Sequence, residues 1–330
     1  MIRDLALLAD IGGTNARFAL ADTQSQTPLI LDSVRQFEVV DFPHLEDAAR
    51  HYLQQMSGTS GPVDSAVFAI AGRVDGDEAR ITNHPWVISR VATQQALKLQ
   101  SLRLVNDFAA QAMAVELLTR DDLVAIGDVS WTPAAGSPRT YAVLGPGTGL
   151  GIGALIIRDG HRIALETEGG HVSFAASTPE EVAIQERLSS YFGHVSNERV
   201  VSGGGLVNIH RALCEIAGDA APKLRPQDIT AGAAQADPRC LRTIAVFCAT
   251  FGAIASNLVL TLGAWDGVFL TGGLVPKLLT DLQQSSFRQR FDAKGRFSEA
   301  MARVPTMAVV HPQAGLLGAA AIAVQDALAK

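Results

Sequence analysis

Cysteine is scarce, with Cys214, Cys240 and Cys248 the only three in 330 residues. They show no C-x-x-C spacing, so they offer no zinc site, and an odd number of thiols suits a reducing cytosol better than a disulfide framework. All three are expected as free thiols. Lys and Arg form no cluster, and the formal net charge is −6, which argues against a nucleic-acid groove or an anionic membrane surface as partner. No basic stretch followed by an apolar one precedes the first strand-like run, so no export signal is visible and a cytoplasmic location is expected. No G-x-x-x-x-G-K-[ST] occurs, which excludes a P-loop. A weak G-x-G-x-x-A match at Gly149 runs into a strand instead of opening a helix, so a dinucleotide fold is disfavoured.

What the chain does have is length and apolar content, 330 residues at 48% hydrophobic, ample for two α/β domains. It also has glycine-rich breaks set between apolar runs. Leu5 to Ala9 reads as a buried strand, Gly12-Gly13-Thr14 as a tight turn and Phe18 to Ala21 as a returning strand. Such a hairpin has a tip of backbone amides with one threonine hydroxyl, and phosphate oxygens suit it. Asp10, at the end of the first strand, makes sense beside phosphate if a hydrated Mg²⁺ is shared. A plain hairpin turn explains the same residues. A second copy tilts the reading: Tyr141 to Leu144, then Gly145-Pro146-Gly147-Thr148-Gly149-Leu150-Gly151, then Ile152 to Ile157. Two such hairpins near the starts of two α/β halves suggest an internal duplication.

Taken in order, Ser33 to Val40 reads as a third strand, Phe42 to Met56 as a helix and Ser65 to Gly72 as a central strand. Asn83 and Trp86 border a ligand or fill a turn and a core equally well. Leu102 to Val105 ends the first half and delivers Asn106-Asp107 into an apolar helix, Phe108 to Leu118. Asp107 is a natural helix N-cap, and it is also a carboxylate at a strand-to-helix junction, able to accept a proton from a substrate hydroxyl; the two roles are compatible. Asp121 to Ser137 reads as a loop. Glu166, Glu168 and His171 surround a flexible Gly169-Gly170, which favours a polar pocket. Pro179 to Phe192 reads as a helix, as do Leu206 to Cys214 behind Ser202 to Gly205, where a ligand or a neighbouring helix comes close, and Thr230 to Ala236. Thr243 to Trp265 carries no charge and is long enough to span a bilayer, yet its Thr, Ser, Asn and Gly residues favour a helix buried in a large core, and no membrane is expected. Gly267 to Leu270 is a strand, Thr271 to Pro276 a third glycine-rich turn opening a helix, and Met301 to Val310 a late strand. An alanine-rich helix from Gly315 packs back on the first half, so the expected domains are 1–107 with about 312–330, and 108–311.

With these residues in order, the chain resembles the bacterial glucokinases of the hexokinase and actin-like superfamily over nearly its whole length. The resemblance is carried by Asp10 to Arg17, Thr82-Asn83-His84, Asn106-Asp107-Phe108, Gly145 to Gly151, Glu168 to Val172, Gly193 to Ser196, Glu198-Arg199-Val200 and Thr271-Gly272-Gly273. It implies two ribonuclease-H-like (actin-like ATPase) α/β domains with an interdomain cleft, closing on a sugar to expel water, and ATP-dependent phosphorylation of the sugar 6-hydroxyl. By the same resemblance Asp107 is the catalytic base, and Asn83, Asn106, Asp107, Glu168, His171 and Glu198 meet the sugar. The nucleotide and its Mg²⁺ fall to Asp10, Ile11, Gly12, Gly13, Thr14 and Asn15, with Asp10 reaching the metal through water. Gly145, Gly147, Thr148 and Gly149 form the other phosphate tip, and Gly272 and Gly273 meet the adenosine. A homodimer is implied as well. The related repressor, open-reading-frame and kinase family carries a zinc-binding cysteine cluster after its histidine motif. None exists here, so no zinc is expected.

Overall fold

The computed structural model describes residues 4–57, 61–81, 86–132 and 138–329. Its elements run β1 (Leu5–Ile11), β2 (Asn15–Asp22), β3 (Leu29–Glu38), α1 (Leu45–Met56), β4 (Val63–Ile70), β5 (Val74–Asp75), β6 (Glu78–Arg80), β7 (Val87–Ser89), α2 (Arg90–Ala96), β8 (Ser101–Asn106) and α3 (Asp107–Ala114). The chain continues through β9 (Leu123–Ala125), β10 (Arg139–Pro146), β11 (Leu150–Arg158), β12 (His161–Thr167), α4 (Pro179–Phe192), α5 (Gly203–Ile216), α6 (Pro226–Ala234) and α7 (Pro238–Leu262). It ends with β13 (Gly267–Leu270), α8 (Leu279–Gln284), α9 (Phe287–Asp292), α10 (Ser298–Met301), β14 (Thr306–Val309) and α11 (Ala314–Leu328).

Packing divides the chain into two units. One comprises Met1–Thr119, Arg162–Glu166 and His311–Lys330, the other Arg120–His161 and Thr167–Val310. The sequence reading ends the first stretch at 107, whereas the observed unit runs on to Thr119, because α3 packs along α11 within it. Residues His311–Lys330, which carry α11, group with the first unit.

In the first unit the sheet order is β3-β2-β1-β4-β8. β1 pairs antiparallel with β2 and parallel with β4, and β4 pairs parallel with β8. The core forms because β1 is apolar on both faces, as expected of a central strand covered by helices. Phe18 stacks on Tyr52 of α1 at 5.6 Å between ring centres and meets Phe68 edge-on at 6.4 Å. The buried Tyr52 hydroxyl donates to the Ser33 carbonyl at 3.0 Å, and burial pushes its pKa up to about 12.

The second unit is built around β12-β11-β10-β13-β14-β9. Its central helix is the charge-poor α7, whose Phe247 and Phe251 are wholly buried. Gly252 lies against the Phe287 carbonyl, where a side chain would overlap the backbone of α9. Three expectations are corrected here. The segment read as loop contains the edge strand β9, paired with β14. The late strand is shorter than read, because Ser298–Met301 is helical. The third glycine-rich turn continues as turns until α8 begins at Leu279, and so opens no helix directly.

Candidate active site

In the first unit the parallel register sets Ile11, Ile70 and Asn106 side by side, so the first glycine tip, the β4 exit and Asn106-Asp107 share the carboxyl edge of one sheet. Ligands of open α/β sheets bind at that edge. The tip is closed by the Gly12 amide donating to the Asn15 carbonyl at 2.9 Å, and Thr14 is exposed. Ile11 is fully buried, backbone included, and its carbonyl accepts the Ala71 amide at 2.8 Å, so it offers no open atom to a ligand. Asp10 lies opposite Arg17, whose guanidinium is 3.3 Å from its carboxylate. Arg17 also donates to Gln36, and Gln36 to the Asn15 side chain, both at 3.0 Å. Burial raises the Asp10 pKa and Arg17 pulls it back. The first turn of α11 comes so close that a Cβ at Gly315 would stand 2.8 Å from the Asp10 carboxyl carbon.

The helix cap at the end of β8 is Asn106, a correction of the sequence reading, which gave that place to Asp107. Asn106 Oδ1 accepts the amides of Phe108 at 2.9 Å and Ala109 at 3.3 Å, while its Nδ2 donates to the Gly72 carbonyl at 3.1 Å. Asp107 is the first helical residue, and its carboxylate accepts the Phe108 amide at 3.0 Å. The Asn106 side chain, expected to hold sugar, is therefore already engaged in capping the helix that begins at Asp107. Glu166 Oε1 lies 3.4 Å from the Asn106 amide. Asn83 lies outside the described residues.

In the second unit the β10–β11 tip is closed by the Gly147 amide on the Gly149 carbonyl at 2.8 Å. The Thr271–Gly273 turn lies directly on it. A Cβ at Gly145 would fall 2.5 Å from the Thr271 carbonyl oxygen, and one at Gly272, whose φ is +86°, would fall 2.7 Å from that of Pro146. Glycine at these two positions lets the backbones touch. Gly273 has open space at its Cα. The candidate nucleotide residues Gly145, Gly147, Thr148, Gly149, Gly272 and Gly273 are thus neighbours.

The start of β11 gathers the polar residues. Glu198 Oε2 accepts the Leu150 amide at 2.9 Å, and Gly170 packs on the Leu150 carbonyl, where a Cβ would overlap it. Glu168 and His171 approach to 3.9 Å with both side chains about two-thirds exposed, at 64% and 63%. The segment after His171 pairs with the one before Glu198, through Phe174 to Val195 and Asn197 to Val172, each at 2.9 Å. His194 closes this pairing, its Nε2 donating to the His171 carbonyl at 3.0 Å. Sequence reasoning missed His194 and Arg17 as supports. The signal for Arg17 was available, since a two-stranded register through the Gly12 tip sets it across from Asp10.

A repeated α/β unit, each copy with a glycine-tipped hairpin on its central strand and each with the same strand scheme, is the two-domain fold of the actin-like ATPases. Comparison with known proteins narrows the class. A family model described as Glucokinase matches residues 7–326. A glucokinase of Stenotrophomonas maltophilia (strain R551-3) is 64% identical over 318 residues, covering 96% of this chain and 94% of its own. One from Xanthomonas oryzae pv. oryzae (strain MAFF 311018) is 64% identical over 321 residues, with the same coverages of 96% and 94%. Among solved structures, a glucokinase from an Antarctic psychrotroph superposes with a TM-score of 0.86 at 34% identity, covering 97% of this chain and 98% of that one. The chain belongs to the glucokinase family.

Proposed function

We propose that this chain transfers the γ-phosphoryl group of ATP to the 6-hydroxyl of D-glucose, giving glucose 6-phosphate and ADP at the entry to glycolysis. The observation that carries the reading, in a chain of this family, is Asp107 held by its Asn106 cap at the same sheet edge as the Gly12–Thr14 tip. Asp107 takes the proton from the 6-hydroxyl as that oxygen bonds to the γ-phosphorus, and the bond from the γ-phosphorus to the β,γ-bridging oxygen breaks, leaving the electron pair on ADP. Phosphoryl transfer has a loose transition state, so alignment and charge neutralisation supply most of the rate. Within the tips Gly12 to Asn15 and Gly145 to Gly149, the backbone amides other than those of Gly12 and Gly147, which close the turns, meet the phosphates, and Gly272 and Gly273 offer a flat backbone to the adenosine. Glu168, His171 and Glu198 take sugar hydroxyls, since carboxylates and an imidazole that engage neighbouring hydroxyls fix the ring. Asn83 belongs to the same set by resemblance.

Asp10 fits a hydrated Mg²⁺: it is a carboxylate whose burial calls for a counter-charge, and Arg17 alone offsets it in part. When bound, the ion neutralises charge on the phosphates. The reading extends to a homodimer in the cytoplasm, which light scattering of the purified chain tests.

ADP release is measured with ATP·Mg²⁺ and glucose, mannose, fructose, galactose, N-acetylglucosamine or no sugar. Release driven by glucose far above the others is expected, and sugar-independent release refutes the reading. Asp107→Asn should lower kcat by about 10²–10⁴-fold, the usual contribution of a positioned base, with glucose affinity within a few-fold of wild type. Near-normal turnover would reduce Asp107 to a structural residue.

A further inference from the structure

Glu198 stands in the turn Asn197–Arg199, and this short segment is tied to both sides of the second glycine-rich tip. On one side its Oε2 accepts the Leu150 amide at 2.9 Å, at the base of β11. On the other side the Gly203 amide donates to the Gly147 carbonyl at 2.8 Å, and the Ser202 hydroxyl donates to the Glu198 carbonyl at 2.7 Å, closing the path back to Glu198. The tip is therefore held by the same stretch that presents the carboxylate. Oε1 makes no hydrogen bond among the described residues.

The room for this arrangement comes from Gly149. A Cβ there would overlap Glu198 Oε2, the mobile end of a flexible side chain, so a methyl group would displace the carboxylate and leave the backbone in place. The next peptide along is engaged too, because Gly170 of the Glu168–His171 turn packs on the Leu150 carbonyl.

We propose that Glu198 serves both substrates with its two oxygens. Oε2 fixes the base of the nucleotide tip through the Leu150 amide, and Oε1 takes a sugar hydroxyl, so that sugar occupancy orders the tip. Gly149, a residue of the nucleotide tip, then determines sugar affinity. The inference rests on the sugar-kinase reading above. Its physical content is simple: a carboxylate held by one donor still rotates about its last bond, and a second donor on the other oxygen stops that rotation and the motion of the amide bound to it. Coupling of this kind is reciprocal between ligands and amounts to about 5–150-fold in affinity.

The test uses the full chain and glucose alone, without nucleotide. Isothermal titration should show glucose binding at least 10-fold weaker in Gly149→Ala than in wild type, with the free variant still folded and unfolding cooperatively. A glucose affinity within two-fold of wild type overturns the proposal and leaves Gly149 with a nucleotide role only. A second measurement needs no variant: saturating glucose should slow hydrogen exchange at the Leu150 amide of the wild-type protein. Unchanged exchange there, with glucose bound, overturns the coupling even if Gly149→Ala binds weakly. Wild-type protein that binds no glucose refutes the sugar-kinase reading beneath it, an outcome distinct from either of these.

Discussion

Replacing Asn106 by alanine separates its two tasks. The side chain caps α3 through the Phe108 and Ala109 amides and ties that cap to the β4 exit through the Gly72 carbonyl. Losing a cap of this type costs about 1 kcal/mol. Losing the second hydrogen bond, between partly buried groups, adds about 1 kcal/mol. The sum of about 2 kcal/mol corresponds to a fall in melting temperature of roughly 4–8 °C for a unit of this size. Asn106→Asp keeps an acceptor at the helix start, where negative charge is favoured, and loses only the donor to Gly72, so it should recover about half of the deficit. Thermal unfolding followed by far-UV circular dichroism reads both variants, and initial rates read the consequence for Asp107, the proposed base. With Asp107 adjacent and its helix frayed, kcat should fall in Asn106→Ala by roughly 10²-fold, as for a misplaced reacting group, and rise again in Asn106→Asp. The reasoning is refuted if Asn106→Ala melts within 1 °C of wild type, or if glucose KM rises while kcat stays constant; that result would make Asn106 a sugar ligand and nothing more.

Other expectations follow from single contacts. Gly318 of α11 lies on the Ala110 carbonyl of α3, where a Cβ would overlap the backbone. Gly318→Ala gains about 1 kcal/mol of helix propensity but forces two packed helices apart at a cost of up to about 3 kcal/mol, so urea unfolding should show net destabilisation, and a stabilised variant would contradict the packing. The Asp10 pKa is raised in the folded chain, chiefly by burial. Its contribution to stability is therefore fully present below the unfolded carboxylate pKa and is lost as pH rises through the higher folded value. Asp10→Asn lacks that slope, and its stability relative to wild type should increase from pH 4 to pH 8 in metal-free buffer; a relative stability that falls over that range would reverse the sign and sink the argument.

Legibility in the sequence followed how local the determinants were. Helix α4 was read with its observed bounds because every signal lies within it or beside it: Thr178 caps the Glu181 amide, Pro179 opens the first turn, and Gly193 ends it at φ +66°. Both glycine hairpins were equally plain, since buried apolar runs flank each tip. Strand β9 was not, because Leu123–Ala125 is three residues in a polar stretch and owes its conformation to pairing with β14, far along the chain. The cap at α3 was misplaced by one residue, because Asn106 and Asp107 are both good caps and the choice between them is made by Gly72, brought in by β4. At the candidate site, residue types were legible and partnerships were not. Neither the bond from Leu150 to Glu198 nor that from His194 to His171 leaves any trace in spacing.

The internal duplication suggested by the two hairpins has a geometric counterpart that separates their roles. The order β3-β2-β1-β4-β8 repeats as β12-β11-β10-β13-β14. In the first copy the Ala71 amide donates to the Ile11 carbonyl at 2.8 Å, and in the second the Thr271 amide donates to that of Leu144 at 2.9 Å. The registers Ile11 to Ile70 and Leu144 to Leu270 make these bonds equivalent. Asp10 then corresponds to Val143, which is 1% exposed, so only the first copy places a carboxylate beneath its tip. The strand that ends in Asn106-Asp107 corresponds to β14, which ends in Val309 and leads to no acid. Backbone amides come with the scaffold and appear twice. On the proposed reading, the carboxylates for a cation and a proton, Asp10 and Asp107, stand in one copy alone, and Glu168 and Glu198, the acids proposed for the sugar, stand around the other. The glycine tip is thus a property of the fold, and in the function proposed the direction of the chemistry lies in which copy holds the charge.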